Sequence, residues 1–263
     1  MHNFNDKLKE ICLAKNNRLC IGLDVDNTKL KDDSLSYMKD YIIEIIEHTI
    51  DLCPIYKINF SFYERYGSKG FAILEDIVKI VDKRAITIAD AKRGDIGNSS
   101  KYYAKAIFEH FNFDSVTVSP YMGSDSIKPF IDYADKGIFV LGLTSNQGSL
   151  DIQKKNIENG MSVFEHVIKM AVDMNINNNV GLVIGATNDK YLEQIKRISS
   201  NLPWLMPGVG FQGGDLKKSI TLGDRNGLAI INVSRGILNA GNGDILDIRN
   251  AVIDYTEKIR ENL

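Results

Sequence analysis

The chain has 263 residues, 44% of them hydrophobic and 25% charged, with a formal net charge of −2. That length can bury a full core as one large domain, and the near-neutral balance gives no electrostatic footing for nucleic acid or a membrane surface. No apolar run approaches the roughly 18 residues of a membrane span. The start, Met1-His2-Asn3-Phe4-Asn5-Asp6-Lys7, lacks the apolar centre of a signal peptide. Cys12, Cys20 and Cys53 are odd in number and form no CxxC pair. They read as reduced structural thiols of a cytoplasmic protein.

Short β-branched runs alternate with longer segments of helical period from end to end. The pattern predicts strands over 19–24, 54–60, 85–90, 114–119, 137–143, 180–185, 204–207 and 228–233. Helical segments follow nearly every one, among them 35–52, 70–82, 99–111, 161–174, 190–200 and 245–262. Within the first, Tyr41, Ile42, Ile45, Ile46 and Ile50 make the broad apolar stripe of a helix packed on a sheet. Eight strand-then-helix units in about 250 residues are the arithmetic of a (β/α)8 TIM barrel. An open doubly wound sheet is the competing architecture. It asks for G-x-G-x-x-G after the first strand, and Gly22-Leu23-Asp24-Val25-Asp26 offers no such cradle. With no low-complexity tract and no long linker, the expectation is an α/β fold: one barrel domain over 1–263.

Chemistry in such a barrel collects at the carboxyl ends of the strands. The third strand runs into Asp90-Ala91-Lys92-Arg93-Gly94-Asp95, and alternation puts Asp90 and Lys92 on one face. Charges of alternating sign are costly to desolvate unless they pair. A salt-bridge cluster closing the barrel is the plain reading, and a catalytic array the sharper one. The first strand ends in Asp24, and the second presents Lys57 and Asn59 on one face. A lysine inside an apolar strand must snorkel to the rim or find partners. Asp24, Asp90 and Lys92, at matching strand ends, supply them.

The fifth strand turns through Thr144-Ser145-Asn146, groups that read a polar ring edge or cap the next turn. After the seventh strand the 208–214 loop holds four glycines in seven residues, and such a loop lets backbone amides converge on an oxyanion. The eighth strand delivers Ser234-Arg235-Gly236. Barrel phosphate sites are built from the loops after strands seven and eight, and the arginine fork grips phosphate. A phosphorylated substrate is expected. His2, His48, His110 and His166 fall at the amino terminus or in helices, so neither a metal site nor a dinucleotide or other cofactor is expected.

These residues carry a resemblance. The run Asp90-Ala91-Lys92-Arg93-Gly94-Asp95-Ile96, extended by Gly97-Asn98-Ser99 and Tyr102-Tyr103-Ala104, resembles the core motif of the bacterial branch of the orotidine 5′-monophosphate decarboxylase family. Leu23-Asp24, Lys57-Ile58-Asn59-Phe60, Pro120-Tyr121-Met122-Gly123, Pro207-Gly208-Val209-Gly210 and Asn232-Val233-Ser234-Arg235-Gly236 follow in family order. The pieces span nearly the whole chain, and the central motif is the specific one.

The resemblance implies removal of CO₂ from orotidine monophosphate to give UMP, the last step of de novo pyrimidine nucleotide synthesis, without metal or organic cofactor. It implies Lys92 as proton donor, with Asp90 beside the departing carboxylate. Asp95 would cross a homodimer interface to the partner's ribose site, joined by Ser99, which stands where the family usually has threonine. Asp24 and Lys57 map to the ribose array with Asn59 close by, and Ser145 with Thr144 to pyrimidine recognition. Gln212, Arg235 and Gly236 map to the phosphate grip, with the 208–214 loop closing over it. A magnesium-dependent sugar-phosphate lyase of the same superfamily is one alternative, and Lys57 opposes it because a metal site would want another carboxylate there. A catalytically silent nucleotide-binding barrel is the other, and it has no need of a lysine held between acids.

Overall fold

β-Branched and aromatic residues concentrate in eight short runs. In the computed structural model, which describes residues 3–158, 160–209 and 213–263, they form β1 (Leu19–Gly22), β2 (Ile55–Asn59), β3 (Ile86–Arg93), β4 (Ser115–Val118), β5 (Gly137–Leu143), β6 (Val180–Ile184), β7 (Trp204–Pro207) and β8 (Ala229–Val233). Neighbours pair in parallel in strict chain order, and β8 returns to β1, so the sheet closes as a barrel. The expected (β/α)8 architecture is what the chain adopts.

Parallel strands need crossover connections, and helices provide them at Leu35–Thr49, Ser68–Val81, Gly97–Lys105, Ser124–Ile131, Val163–Met174, Leu192–Ile198 and Leu216–Asn226, with Ile245–Arg260 following the last strand. The last turn of the third widens into a π turn over Ala106–His110. Two of these helices fall outside the ranges named from the pattern. Ser124–Ile131 contains Pro129, a residue that reads as a breaker, yet it lies in a helix of only eight residues. Leu216–Asn226 is polar on average and opens with the lysine pair Lys217 and Lys218. No helix among the described residues is long and apolar enough to cross a membrane.

Side chains alternate across each strand, which divides the core into two. Ile21, Ile58, Val116, Ile138, Leu182 and Ile231 face outward and pack under the helices. Cys20, Ile55, Ile86, Phe139, Leu205 and Ile230 fill the barrel interior. Burial pushes the Cys12 and Cys53 thiols up to about 12 and raises Cys20 as well, so all three are inert packing groups. Trp204 is fully buried in the layer under the helices.

An unexpected helix, Phe4–Ala14, closes the amino end of the barrel. Phe4, Leu8 and Cys12 join the interior cluster, and the Phe4 ring meets Phe139 edge-on at 6.1 Å between centroids. Gly137 leaves the room for that ring, since a Cβ there would collide with it. Lys7 pairs with Asp114 at 2.6 Å, whose other oxygen accepts from the Thr87 amide at 2.9 Å, tying the plug to β3. Truncating Phe4, which is 1% exposed, should cost roughly 3–5 kcal/mol. A Phe4→Ala variant is therefore expected to unfold at a much lower urea concentration, with substrate-site residues at the opposite end undisturbed.

Candidate active site

The carboxyl ends of the strands surround a cavity of about 1140 Å³. Its floor is a chain of alternating charges. Lys57 rises from β2 with its side chain only 6% exposed, and its Nζ lies 3.3 Å from Asp24 Oδ1 and 3.2 Å from Asp90 Oδ2. Lys92, 49% exposed at the side chain, donates to Asp90 Oδ1 at 2.7 Å. Asp24 Oδ2 in turn accepts from Ser234 Oγ at 2.8 Å. The sequence Ser234–Asp24–Lys57–Asp90–Lys92 is thus one continuous network crossing the barrel from β8 through β1 and β2 to β3.

Electrostatics explain why this network survives burial. Burial alone would push the Asp90 carboxyl up, but Lys57 and Lys92 outweigh it and hold Asp90 down at about 2. Burial would likewise lower Lys57, yet Asp24 and Asp90 hold it above the ordinary lysine value. Each charge makes the next one tolerable. Gly22 at the end of β1 is part of this design, because a Cβ there would collide with Ser234 Oγ.

The structure also corrects the end of the third strand, which runs to Arg93 rather than stopping at Asp90. Ala89 pairs with Val116 and Arg93 with Val118, so Asp90, Ala91 and Lys92 stand opposite the single residue Thr117. Asp90 faces the cavity by the same alternation that turns Ile86 and Ile88 inward, and the bulge on the β4 side carries Lys92 at φ 48°. Arg93 secures the far end: it pairs with Glu64 and lies over the rings of Phe60 and Tyr103, each 5.4 Å from its Cζ.

The remaining expected residues divide into two places. Asn59, Thr144, Ser145, Arg235 and Gly236 line the same cavity as the charged network. Asn59 Oδ1 also accepts from the Ser61 amide at 3.2 Å. The Thr144 hydroxyl is bound by Gln153 Nε2 at 2.7 Å and donates to Asn146 at 2.6 Å. Asp95 and Ser99 lie elsewhere, lining a separate surface cavity of about 430 Å³ with Tyr102, Tyr103 and Ala106. Gln212 lies outside the described residues. Two members escaped the sequence reading as site residues. Ser234 stood in plain view beside Arg235, whereas a threonine such as Thr117 is what any strand prefers and carries no signal.

A closed parallel barrel with two lysines and two aspartates interleaved at its catalytic end defines a barrel enzyme. Comparison with known proteins agrees. The chain belongs to the orotidine 5′-phosphate decarboxylase / HUMPS family, whose sequence model matches residues 17–244. An orotidine 5′-phosphate decarboxylase of Dehalococcoides mccartyi is 46% identical over 263 residues, 98% of this chain and 96% of the relative. Among solved structures, the OMP decarboxylase of Leishmania donovani superposes with a TM-score of 0.87 at 36% identity, covering 99% of this chain and 98% of its own. The UMP synthase of that organism gives 0.88 at 38% identity, with 100% of this chain matched to 57% of the longer protein.

Asp90 makes stability depend on pH. Its carboxyl is held at about 2 in the fold against about 3.9 when unfolded, so the unfolded chain binds more protons between those values. Stability on the order of 2 kcal/mol is present above about pH 4 and is lost as pH falls towards about 2. Urea midpoints measured across this range should fall for the wild type and fall less for Asp90→Asn; parallel curves would remove Asp90 from this role.

Proposed function

We propose that this chain removes CO₂ from orotidine 5′-monophosphate to give UMP, without metal or organic cofactor, and that Lys92 protonates carbon six of the pyrimidine. The observation that carries this reading is the Asp24–Lys57–Asp90–Lys92 network at the floor of the cavity. Breaking the bond to CO₂ leaves an electron pair at carbon six with no electron sink of the pyridoxal kind. An ammonium fixed in a partly dry site stabilises that developing charge, because no reorganisation is needed at the moment of reaction. The same ammonium then gives its proton to the carbon. Asp90 aims Lys92 through the 2.7 Å hydrogen bond, and would lie beside the departing carboxylate.

Asp24 and Lys57, with Asn59 nearby, would hold the ribose. Ser145 and the Thr144 turn would meet the pyrimidine edge, and Arg235 with Gly236 the phosphate. The phosphate is remote from carbon six, so its binding energy can be used for positioning rather than bond breaking. A metal-using sugar-phosphate lyase is disfavoured by charge, since the Lys57 ammonium already lies between the carboxylates that would coordinate the ion. The three buried, unpaired cysteines support a reducing, cytoplasmic compartment.

A homodimer is part of the same reading. Asp95 and Ser99 lie apart from the central cavity, and beside them Ile96, Tyr102 and Tyr103 are 58%, 66% and 40% exposed. An apolar face of this kind around a carboxylate suits a second copy of the chain, into whose site Asp95 and Ser99 would reach.

Loss of orotidine monophosphate absorbance, followed with EDTA present, tests the reaction. Wild type should turn over, and Lys92→Ala should lose roughly 10³-fold or more in kcat; a wild type with no turnover would overturn the assignment. The dimer has its own test. Lys92→Ala and Asp95→Ala, each inactive alone, should recover activity on mixing, because one site of the mixed dimer then holds both intact residues. Failure to recover, with exchange of subunits verified by mass, would place Asp95 in its own chain's chemistry.

A further inference from the structure

The catalytic pair of the proposed reaction is held by a residue that takes no part in it. Three residues of β3 face one residue of β4, and that one is Thr117. The bulge takes the Lys92 amide out of the regular ladder, and Lys92 sits at φ 48°, a left-handed conformation that non-glycine residues adopt only when their surroundings enforce it. Thr117 provides the enforcement. Its Oγ1 accepts from the Lys92 amide at 3.0 Å and donates to Asp90 Oδ1 at 2.9 Å. The carboxylate oxygen it reaches is the one that also takes the Lys92 ammonium at 2.7 Å.

We infer that Thr117 is a positioning residue for decarboxylation: its hydroxyl fixes the left-handed backbone of Lys92 and the rotamer of Asp90 together, so that the ammonium is delivered from one direction. The inference rests on the reaction proposed above. The hydroxyl is suited to the task because it carries one proton and accepts at the same atom. Here the proton goes to Asp90 and the acceptor capacity to Lys92, so neither end can turn without breaking a bond. Thr117 is 1% exposed and lies in the wall of the cavity, so water does not readily replace it. After burial and the two lysines, its hydrogen bond is a further cause acting on the Asp90 carboxyl. The β-branched shape keeps the hydroxyl in a narrow range of rotamers.

The test separates the hydroxyl from the packing. Thr117→Val keeps the shape and removes the hydrogen bonds, Thr117→Ser keeps the hydroxyl and removes the methyl, and Thr117→Ala covers the case of Val failing to fold. Val should lower kcat by roughly 10²-fold, the scale of a small misplacement of a reacting group, while UMP affinity measured by calorimetry changes little. Ser should keep most of the activity. A Val or Ala variant with wild-type kcat would overturn the inference. So would a Ser variant as impaired as Val, or a loss of UMP affinity that matches the loss of kcat. Wild type assayed alongside separates the two failures: an inactive wild type overturns the reaction itself, and an active one confines the failure to Thr117.

Discussion

A lysine ammonium taken almost wholly out of water is the constraint around which this barrel is arranged. Lys57 sits on β2 between the carboxylates of Asp24 and Asp90, and neither the lysine nor the acids would be tolerable there without the others. Three adjacent strands must therefore end at matching heights, in register, with their functional side chains turned inward. A closed parallel sheet meets that requirement because hydrogen bonding fixes the relative height of every strand. The β1–β2 and β2–β3 registers, Gly22 opposite Lys57 and Asn59 opposite Asp90, are what bring the charges within reach.

The ends of this network serve different needs. At one end Ser234 binds Asp24 and stands next to Arg235, so the arginine side of the cavity is joined through hydrogen bonds to the carboxylates in the middle. At the other end Lys92 is half exposed, and of the two lysines it is the one open to a bound molecule. The structure thus separates a lysine buried between carboxylates from a lysine presented to the cavity. Identical side chains stand in two settings, one buried between two carboxylates and the other half exposed beside one.

Much of this was legible in the chain. All eight strands could be placed because their β-branched runs are bounded by turn residues, and β5 and β7 coincide with their predicted limits. Asp24, Lys57, Asp90 and Lys92 could be grouped because strand ends in a barrel converge. What the sequence hid has physical causes. The helix at Ser124–Ile131 is stabilised by its tertiary contacts, through Ile127 and Phe130, despite Pro129. The amino-terminal plug has a helical stripe, but nothing in a linear pattern says that Phe4 will fill space beneath Gly137. The bulge in β3 is invisible because alternation assumes a regular pleat, and Thr117 acquires its importance only from the three residues opposite it.

The plug at the amino end has a bearing on traffic through the molecule. With Phe4, Leu8 and Cys12 packed against the interior layer of Cys20, Ile55 and Phe139, the barrel is a vessel sealed at the bottom. Among the described residues the cavity lies at the opposite end, with Arg235 in its lining, so the gas and the nucleotide are released on the side away from the plug.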